Sequence, residues 1–151
     1  DNTLVECGEK QYICSLPELI ILKENIIKLS SLSLDFSTII VVTNQPQVAM
    51  GRLTLEELNR IHSKLIYECR KLNLLIDDII FCPHHPHGGF LDEIKILKYD
   101  CFCRKPKPGM LIEASYSKNI DLSNSLFIGD SDRDRECAEN AGCKFTFVQD
   151  L

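Results

Sequence analysis

The chain has 151 residues and a mass of 17.2 kDa, with 44% hydrophobic and 26% charged side chains, the composition of one ordinary globular domain. Its 17 Lys and Arg against 22 Asp and Glu leave a formal charge of -5, which excludes a protein that coats polyanions through clustered positive charge. No apolar run approaches the roughly 20 residues of a membrane span, and no charged stretch followed by an apolar one opens the chain, so a cytoplasmic protein with no membrane and no nucleic-acid partner is expected.

Taken in order, the elements alternate between helix and strand, which predicts a single α/β layered domain. Ser15-Leu16-Pro17-Glu18 has the form of a capping box with proline at the first helical position, and Leu19, Leu22, Ile26 and Ile27 follow at helical spacing. A helix from about Pro17 to Ser30 is expected. Thr38-Ile39-Ile40-Val41-Val42 is short, β-branched and free of charge, as a parallel strand covered on both faces should be. Thr54-Leu55-Glu56-Glu57 is a second capping box, and Leu55, Leu58, Ile61, Leu65, Cys69 and Leu72 step along one helical face.

Ile79-Ile80-Phe81 reads as the next strand. The stretch from Cys82 to Lys107 is too long for an ordinary connection and needs something other than a core to hold it. Beyond it come a helix over Met110 to Lys118, a buried strand at Leu126-Phe127-Ile128, a helix from Asp132 to Ala141 stopped by Gly142, and a last strand from Lys144 to Val148. Strands therefore end at Asn44, Cys82 and Asp130, and open parallel sheets bind their ligands outside such carboxyl ends.

Eight Cys amount to about 5% of the chain, below the roughly 8–10% of a secreted disulfide scaffold. Cys7, Cys14, Cys69, Cys137 and Cys143 are scattered. Cys82, Cys101 and Cys103 instead lie close in sequence to His84, His85 and His87, a pattern of metal binding in which any of the three histidines can complete the set. Asp130 follows a buried strand, and acidic side chains recur through Asp132 and Asp134; this is oxygen-ligand chemistry suited to Mg²⁺, and equally the composition of a capped helix start. Arg104, Lys105 and Lys107 place three cations within four positions of a proline-stiffened loop, a phosphate-binding arrangement rather than a merely solvated one.

Asp1-Asn2-Thr3-Leu4, Val42-Thr43-Asn44-Gln45, Arg104-Lys105-Pro106 and Gly129-Asp130 occur in the order of the four motifs of the haloacid-dehalogenase (HAD) superfamily of phosphohydrolases, which the chain resembles over nearly its whole length. Cys82-Pro83-His84-His85-Pro86 followed by Cys101-Phe102-Cys103-Arg104-Lys105-Pro106 resembles the zinc loop of one subgroup, the heptose 1,7-bisphosphate and histidinol-phosphate phosphatases. The resemblance implies a HAD-like Rossmannoid three-layer fold with a central parallel sheet, and a zinc-stapled loop over residues 82–107 of a single domain.

It also implies roles. His84 is favoured among the histidines, so that Cys82, His84, Cys101 and Cys103 hold zinc; four protein ligands close a tetrahedral site, which makes that zinc structural. In the family the first motif reads Asp-x-Asp-x-Thr-Leu, with a nucleophile first and a general acid and base second. Asp1 matches the second position, and its carbonyl is expected at Mg²⁺ beside Asp130. Thr43 matches the hydroxyl that orients the phosphoryl group, Lys105 the balancing cation, and Thr3, Asn44 and Arg104 the substrate-facing positions. Asp134 is a weaker candidate ligand. The nucleophile belongs two residues before Asp1, on a strand expected to precede it in the natural chain.

Two departures qualify the match. Relatives often place Arg directly before the glycine of the Val48-Ala49-Met50-Gly51 segment, where this chain has Met50. A chain without the upstream Asp would be a zinc-stapled sugar-phosphate-binding module in place of an enzyme. The expected activity is Mg²⁺-dependent removal of the 7-phosphate from a heptose 1,7-bisphosphate by a monomer, in the synthesis of nucleotide-activated heptose for lipopolysaccharide. Histidinol phosphate is the alternative substrate, and a polynucleotide 3′-phosphate ranks third because there is no basic track for a strand.

Overall fold

The computed structural model describes residues 1–7 and 12–151. In chain order it contains β1 (Val5–Glu6), β2 (Ile20–Ile21), α1 (Lys23–Leu32), β3 (Ile40–Asn44), α2 (Leu55–Lys71), β4 (Asp78–Cys82), α3 (Gly109–Lys118), β5 (Leu126–Gly129), α4 (Asp132–Ala141) and β6 (Lys144–Phe147). Strands β3 and β4 pair in parallel from Ile40 opposite Asp78 to Asn44 opposite Cys82, with α2 as their crossover. Strands β5 and β6 pair in parallel around α4, and β1 and β2 form a short antiparallel pair.

The three layers follow from strand periodicity, since alternate side chains point to opposite faces. Ile39, Val41, Ile79 and Phe81 face a core that contains Ile26 of α1 and Leu58, Ile61, Leu65 and Cys69 of α2. Their neighbours Ile40, Val42, Ile80 and Cys82 face a second core with Met110 and Leu111 of α3 and Cys137 of α4. An uninterrupted apolar strand is thus covered on both sides, as its composition predicts.

One continuous central sheet does not form among the described residues. Strand β3 pairs only with β4 and β5 only with β6. Between them runs a cavity of about 230 Å³, lined by Ile40 to Thr43 on one side and Leu126 to Gly129 on the other.

Helix α2 starts where its capping box places it: the Thr54 hydroxyl accepts from the Glu57 amide at 3.1 Å, and the Glu57 carboxylate accepts from the Thr54 amide at 2.9 Å. The matching motif at Ser15 behaves otherwise. Leu16–Glu18 form only a 3-10 turn, Leu19 turns extended, and the helix begins at Lys23. The Glu18 carboxylate accepts from the amide of Cys14, not Ser15. Ile20 and Ile21 are drawn into pairing with Glu6 and Val5, and the Leu22 amide continues that ladder to the Leu4 carbonyl at 3.0 Å. Tertiary pairing here overrides a local helix signal.

The expected strand at Thr38 begins two residues later. The Ile39 amide donates to the Asp77 carboxylate at 2.7 Å and the Asp77 amide to the Ile39 carbonyl, so a side chain closes the end of the ladder. Helix α4 has its expected bounds and ends on Gly142 in the left-handed region at φ 72°. No helix among the described residues is long and apolar enough to cross a membrane.

Candidate active site and metal centre

Strands β3 and β4 end together at Asn44 and Cys82, and the loops that leave them are tied to each other. The Gln45 amide donates to the Cys82 carbonyl at 2.7 Å, and the Ala49 amide to the Pro83 carbonyl at 3.2 Å. This register brings the end of β4, and with it the first cysteine of the long loop, beside the residue that follows Thr43.

The loop itself is gathered by sulfur. The Sγ atoms of Cys82, Cys101 and Cys103 stand 3.2–3.3 Å apart, and His84 Nδ1 lies 3.2 Å from Cys103 Sγ and 3.6 Å from Cys82 Sγ. Among the described residues these four form the one group of three or more metal-ligand side chains. The sulfur separations are a few tenths of an ångström below the edge, about 3.8 Å, of a tetrahedron with Zn–S bonds of about 2.3 Å. The donor set therefore fits Zn²⁺. Burial raises the Cys82 and Cys103 thiols above their ordinary range, so it is a bound cation that would favour the thiolates. Burial also lowers His84, keeping the imidazole neutral as a ligand must be. Of the other two histidines, His85 is engaged with the backbone of His87 through Nδ1 and takes no part in the cluster.

Directly after the cluster the chain turns through Arg104 and Lys105. The Arg104 guanidinium donates to the His84 carbonyl at 3.2 Å, which joins the metal loop to the first of the phosphate-binding candidates. Lys105 is held from three sides. Its backbone is clamped by Asn44, whose Oδ1 accepts from the Lys105 amide at 3.0 Å while Nδ2 donates to the Lys105 carbonyl at 3.2 Å. Its ammonium donates to the Val42 carbonyl at 3.2 Å and to Asp134 Oδ1 at 2.6 Å. The Asn44 side chain thus works through the placement of Lys105.

Asp134 is the residue whose importance spacing underrates. Its side chain is 6% exposed and that of Lys105 14%, so the pair is a buried one. The other carboxylate oxygen accepts from the Ser131 hydroxyl at 2.7 Å and from the Asp130 amide at 3.3 Å. Burial alone would push this carboxyl up; the adjacent Lys105 charge and the hydrogen bonds outweigh it and hold it below the ordinary range. Asp130 and Asp134 both line the cavity, and Asp134 is the one of the two engaged with Lys105. The close approach depends on Gly129, because a β-carbon there would lie 2.5 Å from Asp134 Cβ.

Thr43 is buried at the end of β3, and its hydroxyl accepts from Gln45 Nε2 at 3.0 Å. Gln45 in turn accepts from Gln47, whose amide also donates to the Ile13 carbonyl at 3.2 Å. This chain of buried amides behind Thr43 is not foreseen from the sequence; a polar pair at alternate positions after a strand is its only trace. Asp1, Thr3, Thr43, Lys105 and Asp130 all line the cavity between β3 and β5. The Asp1 carbonyl accepts from the Thr3 amide at 2.7 Å. Motifs separated by as many as 129 positions in the chain thus reach one place.

The HAD-hydrolase-like family model matches residues 102–150. Over 146 residues, 97% of this chain and 76% of the relative, the chain is 32% identical to D-glycero-beta-D-manno-heptose-1,7-bisphosphate 7-phosphatase of Pseudomonas aeruginosa. It is 36% identical over 104 residues to the enzyme of that name in Vibrio cholerae, covering 69% of this chain and 54% of that one. The chain spans little more than half the length of several curated relatives it matches. Among solved structures, the D,D-heptose 1,7-bisphosphate phosphatase of B. bronchiseptica, complexed with magnesium and phosphate, superposes with a TM-score of 0.80 at 30% identity, covering 96% of this chain and 74% of that one. A HAD-like phosphatase from Mesorhizobium loti gives 0.81 at 25% identity, over 95% and 66% of the two chains. A relative 32% identical over nearly all of this chain and three quarters of its own length, together with a solved structure of the same fold, places the chain in the heptose-1,7-bisphosphate 7-phosphatase family of HAD-like hydrolases.

Proposed function

We propose that this chain carries the acid–base, phosphate-binding and metal-loop machinery of a Mg²⁺-dependent phosphomonoesterase that removes the 7-phosphate from D-glycero-D-manno-heptose 1,7-bisphosphate, in the formation of nucleotide-activated heptose. The observation that carries the reading is the convergence of Asp1, Thr43, Lys105 and Asp130 on one cavity, with Lys105 and Asp130 joined through the single carboxylate of Asp134. The solved neighbour complexed with magnesium and phosphate supports the same assignment.

Asp130 and the Asp1 carbonyl would hold Mg²⁺, a number of protein ligands that suits an ion which keeps several waters and takes its remaining ligands from a phosphate. When bound, the ion supplies positive charge against the phosphoryl oxygens. Lys105, fixed at its backbone by Asn44, adds a second positive charge at the place where negative charge gathers. Thr43 orients the phosphoryl group through its hydroxyl. Asp1 protonates the departing sugar oxygen and then takes a proton from the attacking water. The nucleophilic carboxylate, which forms the aspartyl-phosphate, belongs to the Asp two places before the Asp1 position. The cavity between β3 and β5 suits the strand that leads to it, since both flanking strands turn an unpaired edge toward that space.

Zinc in the Cys82, His84, Cys101 and Cys103 site has a structural part, because four protein ligands leave no position for water or substrate. Bound there, it would bear on the chemistry only through Arg104 and Lys105, which follow Cys103 in sequence. The substrate is a small sugar phosphate met by a monomer in the cytoplasm, with neither a nucleic acid nor a membrane as partner.

The test is phosphate release by protein that includes the upstream segment, with heptose 1,7-bisphosphate set beside histidinol phosphate and a 3′-phosphorylated oligonucleotide. Preference for the heptose by tenfold or more in kcat/KM is expected; preference for histidinol phosphate overturns the substrate assignment, and no release from any of the three leaves a sugar-phosphate-binding module. Asp130→Asn is expected to raise the Mg²⁺ concentration needed for activity and to leave zinc content unchanged.

A further inference from the structure

Tyr99 stands two residues before Cys101, and its phenol reaches back across the cluster to the other ligand pair. Its Oη lies 2.9 Å from His84 Nε2, and the two rings pack at a centroid distance of 4.5 Å with a tilt of 51°. The ring nitrogen on the opposite side, Nδ1, is the one that faces the sulfur atoms of Cys82 and Cys103. A neutral imidazole that binds a metal through Nδ1 must carry its proton on Nε2, and that proton needs an acceptor. The Tyr99 oxygen is the protein atom in place to accept it.

We propose that Tyr99 is a positioning residue for the metal centre: its phenol oxygen accepts from His84 Nε2–H and selects the tautomer that turns Nδ1 to the metal, and its ring packs against the imidazole and fixes its tilt. The proposal rests on the reading of the cluster as a zinc site. Its consequence is that the two halves of the cluster, Cys82 with His84 and Cys101 with Cys103, are joined by a contact that does not depend on the metal, so part of the geometry is set before metal arrives. The Cys101 amide supports this by donating to the Tyr99 carbonyl at 3.1 Å, which folds the phenol and the following thiol into one turn. Because Tyr99 is 50% exposed, water can replace its oxygen in part, and the effect of losing it falls at the lower end of what such outer contacts contribute.

The experiment uses the full-length protein. Zinc affinity is measured by competition with a chromophoric chelator in the unsubstituted chain, Tyr99→Phe and Cys101→Ser. The proton on His84 is located by long-range ¹H–¹⁵N correlation in the zinc-loaded, unsubstituted protein. The expected results are a proton on Nε2 with the metal on Nδ1, and a zinc dissociation constant about tenfold higher in Tyr99→Phe at unchanged circular dichroism. A proton on Nδ1, or a Tyr99→Phe affinity equal to that of the unsubstituted chain, overturns the proposal. The tautomer is read without any substitution, so it decides the matter even if Tyr99→Phe fails to fold. Undiminished zinc binding in Cys101→Ser would instead overturn the metal centre itself, and the role of Tyr99 with it.

Discussion

Among the described residues, twelve buried ones on one side of β3 and β4, including Ile26, Leu58, Ile61 and Leu65, close a core made almost entirely of hydrocarbon. On the other side only six do so, and three of these are Cys82, Cys101 and Cys137. The first side gains its free energy from buried apolar area and needs no further component. The second buries less hydrocarbon and carries a loop from Cys82 to Lys107 in which Lys95–Leu97 is the one helical segment. It is held by directional contacts: the sulfur cluster, the Lys105–Asp134 pair and the Asn44 clamp. The difference teaches that the residues proposed to bind phosphate stand on the half whose order is most conditional. Arg104 and Lys105 are placed by hydrogen bonds and an ion pair more than by apolar packing.

Conditions that act on one half alone are the sharpest tests. Removing zinc, by a chelator or by Cys101→Ser, should have the largest effect, since structural zinc sites in small domains contribute on the order of 10 kcal/mol to folding. Limited proteolysis followed by mass spectrometry should then place the first cuts between residues 83 and 107 and leave α2 intact; early cuts within α2 would erase the distinction between the halves. Next comes Asp134→Asn, which leaves the Lys105 ammonium buried without its counter-charge and should cost about 3 kcal/mol in urea unfolding. Leu58→Ala, in the hydrocarbon core, should cost a similar amount, about 3 kcal/mol, yet leave zinc content at one per chain by metal analysis.

A smaller, pH-dependent effect belongs to His62, which packs edge-on against Phe81 at 5.5 Å and whose pKa burial lowers from 6.5 to about 4. Above pH 6.5 both folded and unfolded chains leave this imidazole neutral, and its contribution to stability is complete. As pH falls from 6.5 towards 4, the unfolded chain takes up the proton first and stability is lost; below about 4 the folded chain also binds it and the loss levels off. Thermal midpoints for the parent and His62→Leu should therefore diverge from one another across that interval, with the variant showing the shallower slope. The smallest change is Thr54→Ala, which removes one arm of the capping box and should cost about 1 kcal/mol, without effect on either metal.

Much of the fold was legible because it rests on short-range rules. The capping box at Thr54, the glycine stop at Gly142 and the apolar strands ending at Asn44 and Cys82 are each decided within a few residues. The box at Ser15 has the same letters and fails, because Ile20 and Ile21 are claimed by Val5 and Glu6, a partner the local sequence does not contain. The clustering of Cys82, His84, Cys101 and Cys103 was legible for a similar reason: two pairs with one-residue gaps limit where four donor atoms can go, although choosing among three neighbouring histidines needed the family resemblance. Asn44 and Asp134 were visible as polar residues at strand and helix ends. That both act on Lys105, one on its backbone and one on its ammonium, was not.

By itself the sequence determined where helices and strands begin and end over most of the chain, which faces are apolar, and which side chains are chemically able to bind metal or phosphate. These depend on residue type and spacing, and both are local. The tertiary structure alone decided that Lys105 is shared between Asn44, Val42 and Asp134, and that Asp1, Thr43 and Asp130 line one cavity. Each of those outcomes joins groups 29 or more positions apart, and only a folded chain sets their distances.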